Sequence, residues 1–206
     1  MAGDFSAKPA EAIAWSEVAS SEAVLIQRCL AGDETAHTAL VFEHHRLVLG
    51  LATHLLGDRE EALDLSQEVF LRVFRTLHRF RGRSALRTWI FRIVVNQARN
   101  RQRWWRRRAR SNQVSLDEHV REHGEMVLGA DASTPDRELA RKEIATRLKA
   151  AIQRLPFEQR TALVLREVEG MRYEEIAFSL GLPVGTVKSR LTRARQALRA
   201  ELGDLR

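Results

Sequence analysis

Between Arg79 and Arg110 the chain carries twelve arginines and no Asp or Glu, and between Ile176 and Ala200 it carries Lys188, Arg190, Arg193, Arg195 and Arg199, again without an acid. Guanidinium groups at that density repel one another unless an anion supplies the compensating charge. A phosphate backbone does so and releases its condensed counterions in the process. The two segments hold seventeen positive charges against a net +7 for the chain, so the remaining residues are net −10. Such a distribution describes an acidic protein with two separate basic surfaces, which predicts two contacts with nucleic acid.

Bond-making chemistry finds no comparable set. Paired carboxylates, a Ser/His/Asp order, a phosphate-cradling glycine loop and a metal cluster are all missing from the sequence, so neither an enzyme nor a cofactor is expected. A nuclease or recombinase would need clustered acids for metal beside its basic surface, and Arg79 to Arg110 contains none. His119 and His123 stand at i, i+4 spacing without a third ligand and read as exposed histidines. Cys29 is the single cysteine, so it forms no internal disulfide and the expected compartment is the reducing cytoplasm. It lies on an apolar helical stripe, where a buried structural thiol is expected rather than a nucleophile.

The elements that must position these residues read as helices. The 206 residues, 44% hydrophobic and 30% charged, suit one or two core-forming domains, and no apolar run approaches membrane length. Residues 1–20 are rich in Ala, Ser and Glu, with Ile13, Trp15 and Val18 merely scattered, and read as a flexible tail. A short helix through Val24, Leu25, Ile26, Cys29 and Leu30 stops at Gly32. Asp33 is placed to cap a second, in which Leu40, Leu47, Leu51 and Leu55 recur until Gly57. Asp58 with Glu61 forms a capping-box pattern ahead of Leu65, Val69, Val73 and Leu77. The exposed side of that third helix starts acidic (Asp58, Glu60, Glu61, Asp64, Glu68) and ends basic (Arg72, Arg75, Arg79), which suits the helix dipole. Ser84 is the expected cap of a fourth helix with Trp89, Ile90, Ile93, Val94 and Ala98 inward. Beyond Ala98 the periodicity dissolves into arginines and Trp104-Trp105.

Residues 111–136 read as a linker, with Gly124, Gly129, Ser133, Thr134 and Pro135 and little aliphatic content. A second domain over 137–206 opens with a helix whose inner face is read as Leu139, Ile144, Leu148 and Ile152, followed by one over Glu158 to Val168. The short helix Tyr173 to Leu180, the turn Gly181-Leu182-Pro183 and a last helix started by Gly185-Thr186-Val187 have the proportions of a helix-turn-helix. Lys188, Arg190, Arg193 and Arg195 project from its second helix in a way that suits a major groove. Arg grips guanine bidentately, and Ser189 and Thr192 reach smaller edges or phosphates.

The strings RCLAGD (Arg28 to Asp33), GDREEALDLSQEVFLRVF (Gly57 to Phe74), FRGRSALRTWIFRIVVN (Phe80 to Asn96) and, after Leu155, LREVEGMRYEEIA and GLPVGTVKSRLTRARQAL resemble bacterial sigma factors of the extracytoplasmic-function group. That resemblance implies an all-α protein of two small helical domains joined by a flexible linker, with 21–110 as sigma region 2 and 137–206 as sigma region 4. It implies a non-enzymatic specificity subunit that binds the clamp and flap of core RNA polymerase and promoter DNA, with an anti-sigma protein as a further partner. Asp64, Gln67 and Glu68 would then contact the polymerase clamp. The loop from Arg81 through Arg83 to Arg87, with Trp89, Arg92, Asn96, Arg99 and Asn100, would open the minus-ten element and hold a flipped base. Thr186, Lys188, Ser189, Arg190, Thr192, Arg193 and Arg195 would lie on the helix that reads the minus-thirty-five element. Trp89 also reads as simple core, and Trp104-Trp105 either stack on unpaired bases or bury against the linker. A stand-alone helix-turn-helix regulator is the rival reading, and the acidic third helix argues against it.

Overall fold

The computed structural model describes residues 20–111 and 135–203, and among them the chain is helical with no strand. The tail at 1–19 and most of the linker, including His119 and His123, lie outside the described residues. Helix α1 spans Ser20–Leu30, α2 Glu34–Leu56, α3 Arg59–Thr76 and α4 Leu86–Ser111; α5 spans Pro135–Arg154, α6 Phe157–Glu167, α7 Tyr173–Leu180 and α8 Val184–Leu202.

Local sequence explains most boundaries. The Asp33 carboxylate accepts from the Thr35 and Ala36 amides at the start of α2, and Asp58 accepts from the Glu61 amide at the start of α3. Gly57 ends α2 at φ 80, the left-handed conformation that a side chain resists. The reciprocal arm expected of Glu61 goes elsewhere: its carboxylate takes Arg101 from α4 at 2.6 Å. Helix α4 starts at Leu86, two residues after the expected cap Ser84, because Leu86 itself is fully buried and anchors the first turn. It then continues unbroken through the arginine run to Ser111.

Helices α1–α4 pack around Ile26, Leu40, Leu51, Leu65, Val69, Ile90, Phe91 and Val94, with Cys29 buried in the same core as expected. Burial pushes the Cys29 thiol up, away from a reactive thiolate. Helices α5–α8 pack around Leu155, Phe157, Leu165, Ile176, Val187 and Leu191, and the two sets join in one continuous apolar cluster. The face expected on α5 is only partly used. Ile152 packs on the core, yet Ile144 is 52% exposed and Leu148 40% exposed. The helix outruns the small bundle it serves, and only its last turn, from Ala151 on, reaches the core.

Candidate nucleic-acid interface

The turn between α7 and α8 is built on Gly181, at φ 65 and ψ 41, with the Leu182 amide closing back on the Ala177 carbonyl at 3.0 Å. Ala177 is small and buried where the two helices meet, and Val187, Leu191 and Ala194 hold the inner side of α8. The opposite side leaves Lys188, Ser189, Thr192, Arg193 and Arg195 exposed, with Thr186 and Arg190 half-buried. Ser189 donates to the Thr186 carbonyl at 2.9 Å and Thr192 to the Lys188 carbonyl at 3.1 Å, so both hydroxyls stay able to accept from a base and must rotate only to donate to one. Arg195 is held by Glu167 at 2.6 Å, and that hydrogen bond pushes its pKa further up. Lys188 stands 5.8 Å from the centre of the Tyr173 ring, which Arg166 also caps at 4.9 Å.

The second basic surface belongs to α4 and the loop before it. Arg81, Arg83, Arg92, Asn96 and Asn100 are exposed, whereas Arg87 and Arg99 are half-buried. Trp89 is half-buried against Phe80, the rings 5.5 Å apart at 62°. It packs with the core and still shows an edge outside. Trp104 is 48% exposed, with the Arg108 guanidinium 5.3 Å from its ring.

On α3, Asp64, Gln67 and Glu68 are all exposed and run down one side of the helix. Leu71, 56% exposed one turn further on, adds an apolar contact to that stripe that periodicity alone did not single out. Glu68 is not free-standing: Arg101 bridges it and Glu61, at 2.6 Å to each. A second feature missed in the sequence is the role of acids from the C-terminal half. Glu158 receives the Arg99 guanidinium side-on, at 3.1 and 3.2 Å, and also receives Arg190 of α8. Glu169 receives Arg87 through both its carboxylate, at 3.2 Å, and its backbone carbonyl, at 2.6 Å. Burial raises the Glu169 pKa, and Arg87 opposes that shift. The net acidity outside the basic segments was the only sequence trace of these pairs; their partners are 59 and 82 residues away.

Among the described residues there is no group of three or more His, Cys, Asp or Glu side chains arranged to hold a metal ion, and no helix is long and apolar enough to cross a membrane.

Comparison with known proteins adds the family. Residues 40–111 match the model of sigma-70 region 2, and residues 142–198 match that of sigma-70 region 4. The RNA polymerase sigma-H factor of Pseudomonas aeruginosa is 40% identical over 181 residues, covering 88% of this chain and 93% of that one. The ECF RNA polymerase sigma-E factor of Escherichia coli K12 is 35% identical over 178 residues, 86% of this chain and 92% of the relative. Among solved structures, CnrH in complex with the cytosolic domain of CnrY aligns at a TM-score of 0.62 and 25% identity, covering 88% of this chain and 96% of that one. The sigma factor RpoE of Bartonella quintana, solved with the anti-sigma factor NepR, shares the fold at a TM-score of 0.62 and 24% identity, over 81% of this chain and 96% of its own. Two family regions in their proper order and relatives matched over nearly their whole length lead to one conclusion: the chain belongs to the extracytoplasmic-function group of the sigma-70 family and directs promoter-specific transcription initiation.

Proposed function

We propose that the two halves divide the work of initiation, with residues 21–110 docking on polymerase and opening the minus-ten element and residues 137–206 reading the minus-thirty-five element. The exposed arginine-bearing side of α8, projecting from a glycine turn that fixes its angle to α7, carries this reading. Asp64 and Gln67, beside exposed Leu71, form the polymerase contact, and the carboxylate suits a basic partner surface. Glu68 joins them while it also restrains Arg101. Arg81, Arg83, Arg87, Trp89, Arg92, Asn96, Arg99 and Asn100 contact the minus-ten region, where a pocket and stacking offset the few kcal/mol, roughly, of unstacking a base. Thr186, Lys188, Ser189, Arg190, Thr192, Arg193 and Arg195 contact the upstream element. The chain performs no catalysis of its own, works in the cytoplasm with core polymerase and has an anti-sigma protein as a further partner, a reading supported by the solved complex of Bartonella quintana RpoE with the anti-sigma factor NepR.

Gel shift with purified components tests this. Promoter DNA is retarded by the chain together with core polymerase, and Asp64→Arg with Gln67→Ala removes core binding while circular dichroism stays unchanged. A chain that retards promoter DNA as tightly alone as with core would overturn the assignment and return the stand-alone regulator.

A further inference from the structure

We propose that Arg101 is a positioning residue and not a DNA contact: its guanidinium clamps the arginine-bearing end of α4 to the side of α3 that docks on polymerase. Seating α3 on polymerase then also sets where Arg103 and Arg106 to Arg108 meet the promoter. The inference rests on the site assignment above and adds a residue to it. Arg103, Arg106, Arg107 and Arg108 are exposed. Arg101, in the same run, is turned inward, its side chain 17% exposed. One terminal nitrogen donates to the Glu61 carboxylate at 2.6 Å and to the Glu61 carbonyl at 3.2 Å, and the other donates to the Glu68 carboxylate at 2.6 Å. Glu61 and Glu68 lie two turns apart on one side of α3, and a planar fork with two terminal nitrogens spans both. A lysine ammonium carries the same charge at a single point and has no such span. With charge-assisted bonds to two carboxylates already made, this guanidinium gains little from a phosphate.

What the clamp holds is the part of α4 that lacks an apolar anchor. Ile90, Phe91, Val94, Val95 and Ala98 are buried, whereas from Arg99 to Arg108 every side chain is half-buried or exposed. Arg101 stands in the first turn of that stretch and fastens it to α3. In chain order the two helices are separated by residues 77–85, which carry Arg81 and Arg83. The clamp joins them directly, so the arginine end keeps its bearing however that loop adjusts to a captured base. Glu68 belongs both to the polymerase stripe, with Asp64 and Gln67, and to the clamp. The path from docked surface to grasping arginines therefore runs through one helix face and one guanidinium, with no flexible segment in it. A grip held to its geometry in this way is what separating strands against fixed phosphates requires.

The test uses the full chain with saturating core polymerase, at a temperature where circular dichroism shows each variant folded. Arg101→Lys, Arg101→Ala and Glu61→Ala should each open promoter DNA about tenfold more slowly than the unaltered chain, read by permanganate reactivity. Lysine should not rescue, and the edges of the reactive stretch, sharp with the unaltered chain, should spread over neighbouring positions, which a mere loss of stability would not produce. Arg101→Ala combined with Glu61→Ala should cost little beyond either alone, because both break the same link. Should Arg101→Ala fail to fold, Arg101→Lys and Glu61→Ala still decide the matter. A phosphate contact at Arg101 predicts the opposite pattern. Arg101→Lys would then open promoters at the normal rate, Arg101→Ala would lower the slope of log affinity against log salt by about one unit, and Glu61→Ala would tighten DNA binding by releasing the guanidinium. That pattern, or normal opening by Arg101→Ala, overturns the proposal. An unaltered chain that opens no promoter with core overturns the site assignment, and the role of the clamp with it.

Discussion

Arg193 and the arginines at 106–108 carry the same charge on different surfaces, and they should fail differently. Arg193 projects from an exposed position on α8, where a bidentate base contact is worth about 1–3 kcal/mol of discrimination. Arg193→Ala should therefore relax preference at one upstream position, read by competition among single-base promoter variants. Changing Arg106, Arg107 and Arg108 to Ala should weaken all promoters alike and lower the slope of log affinity against log salt by about one unit per lost phosphate contact. His44 is a different kind of residue, 5% exposed with both ring nitrogens unpartnered. Burial lowers its pKa from 6.5, aided by Arg87 and opposed by Glu43. The unfolded chain takes up the proton first, so the stability present above pH 6.5 declines as pH falls through that value toward the depressed one, at no more than about 1.4 kcal/mol per pH unit. In His44→Leu that part of the slope should vanish, as urea midpoints on either side of pH 6.5 would show. The types of these residues were plain in the sequence; that His44 is buried and partnerless was not, since its apolar neighbours Leu40, Leu47 and Leu51 define the same face whichever way one histidine turns.

Helices were the most legible level, because caps and glycines act within a few residues of themselves. Asp33, Gly57, Asp58 and Gly181 each stand at the boundary their chemistry demands. Asp58→Ala should cost about 1 kcal/mol by freeing the Glu61 amide at the start of α3, which thermal denaturation would register as a lower Tm. Where the reading went astray, the cause lay outside the helix concerned. Periodicity gave α5 an inner face through Ile144 and Leu148, but an apolar stripe reports only which side is oily, and of that helix only the last turn, from Ala151, is seated in the core. Periodicity likewise lost α4 after Ala98, since an arginine run has no apolar stripe to follow; the helix persists because Ile90, Phe91, Val94 and Val95 anchor it and Arg101 ties it to α3.

At the scale of the whole molecule, the pairing of its halves was illegible for a simple reason. Glu158 and Glu169 meet their arginines 59 and 82 residues away across a linker, and charge totals say only that such acids exist. Helix α4 has a consequence of its own at this scale. It is one rod of 26 residues from Leu86 to Ser111, about 39 Å at 1.5 Å per residue, with Asn96 and Asn100 near its middle and the arginines beyond. A rod with no joint is a yardstick: it fixes both the distance and the angular phase between where strands separate and where the neighbouring phosphates are grasped. One alanine inserted after Gln102 would swing Arg106 to Arg108 about 100° around the axis, whereas seven would nearly restore their bearing and carry them about 10.5 Å further along. Promoter opening should collapse with one inserted residue and return in part with seven, on templates whose spacing has been lengthened by about three base pairs to match.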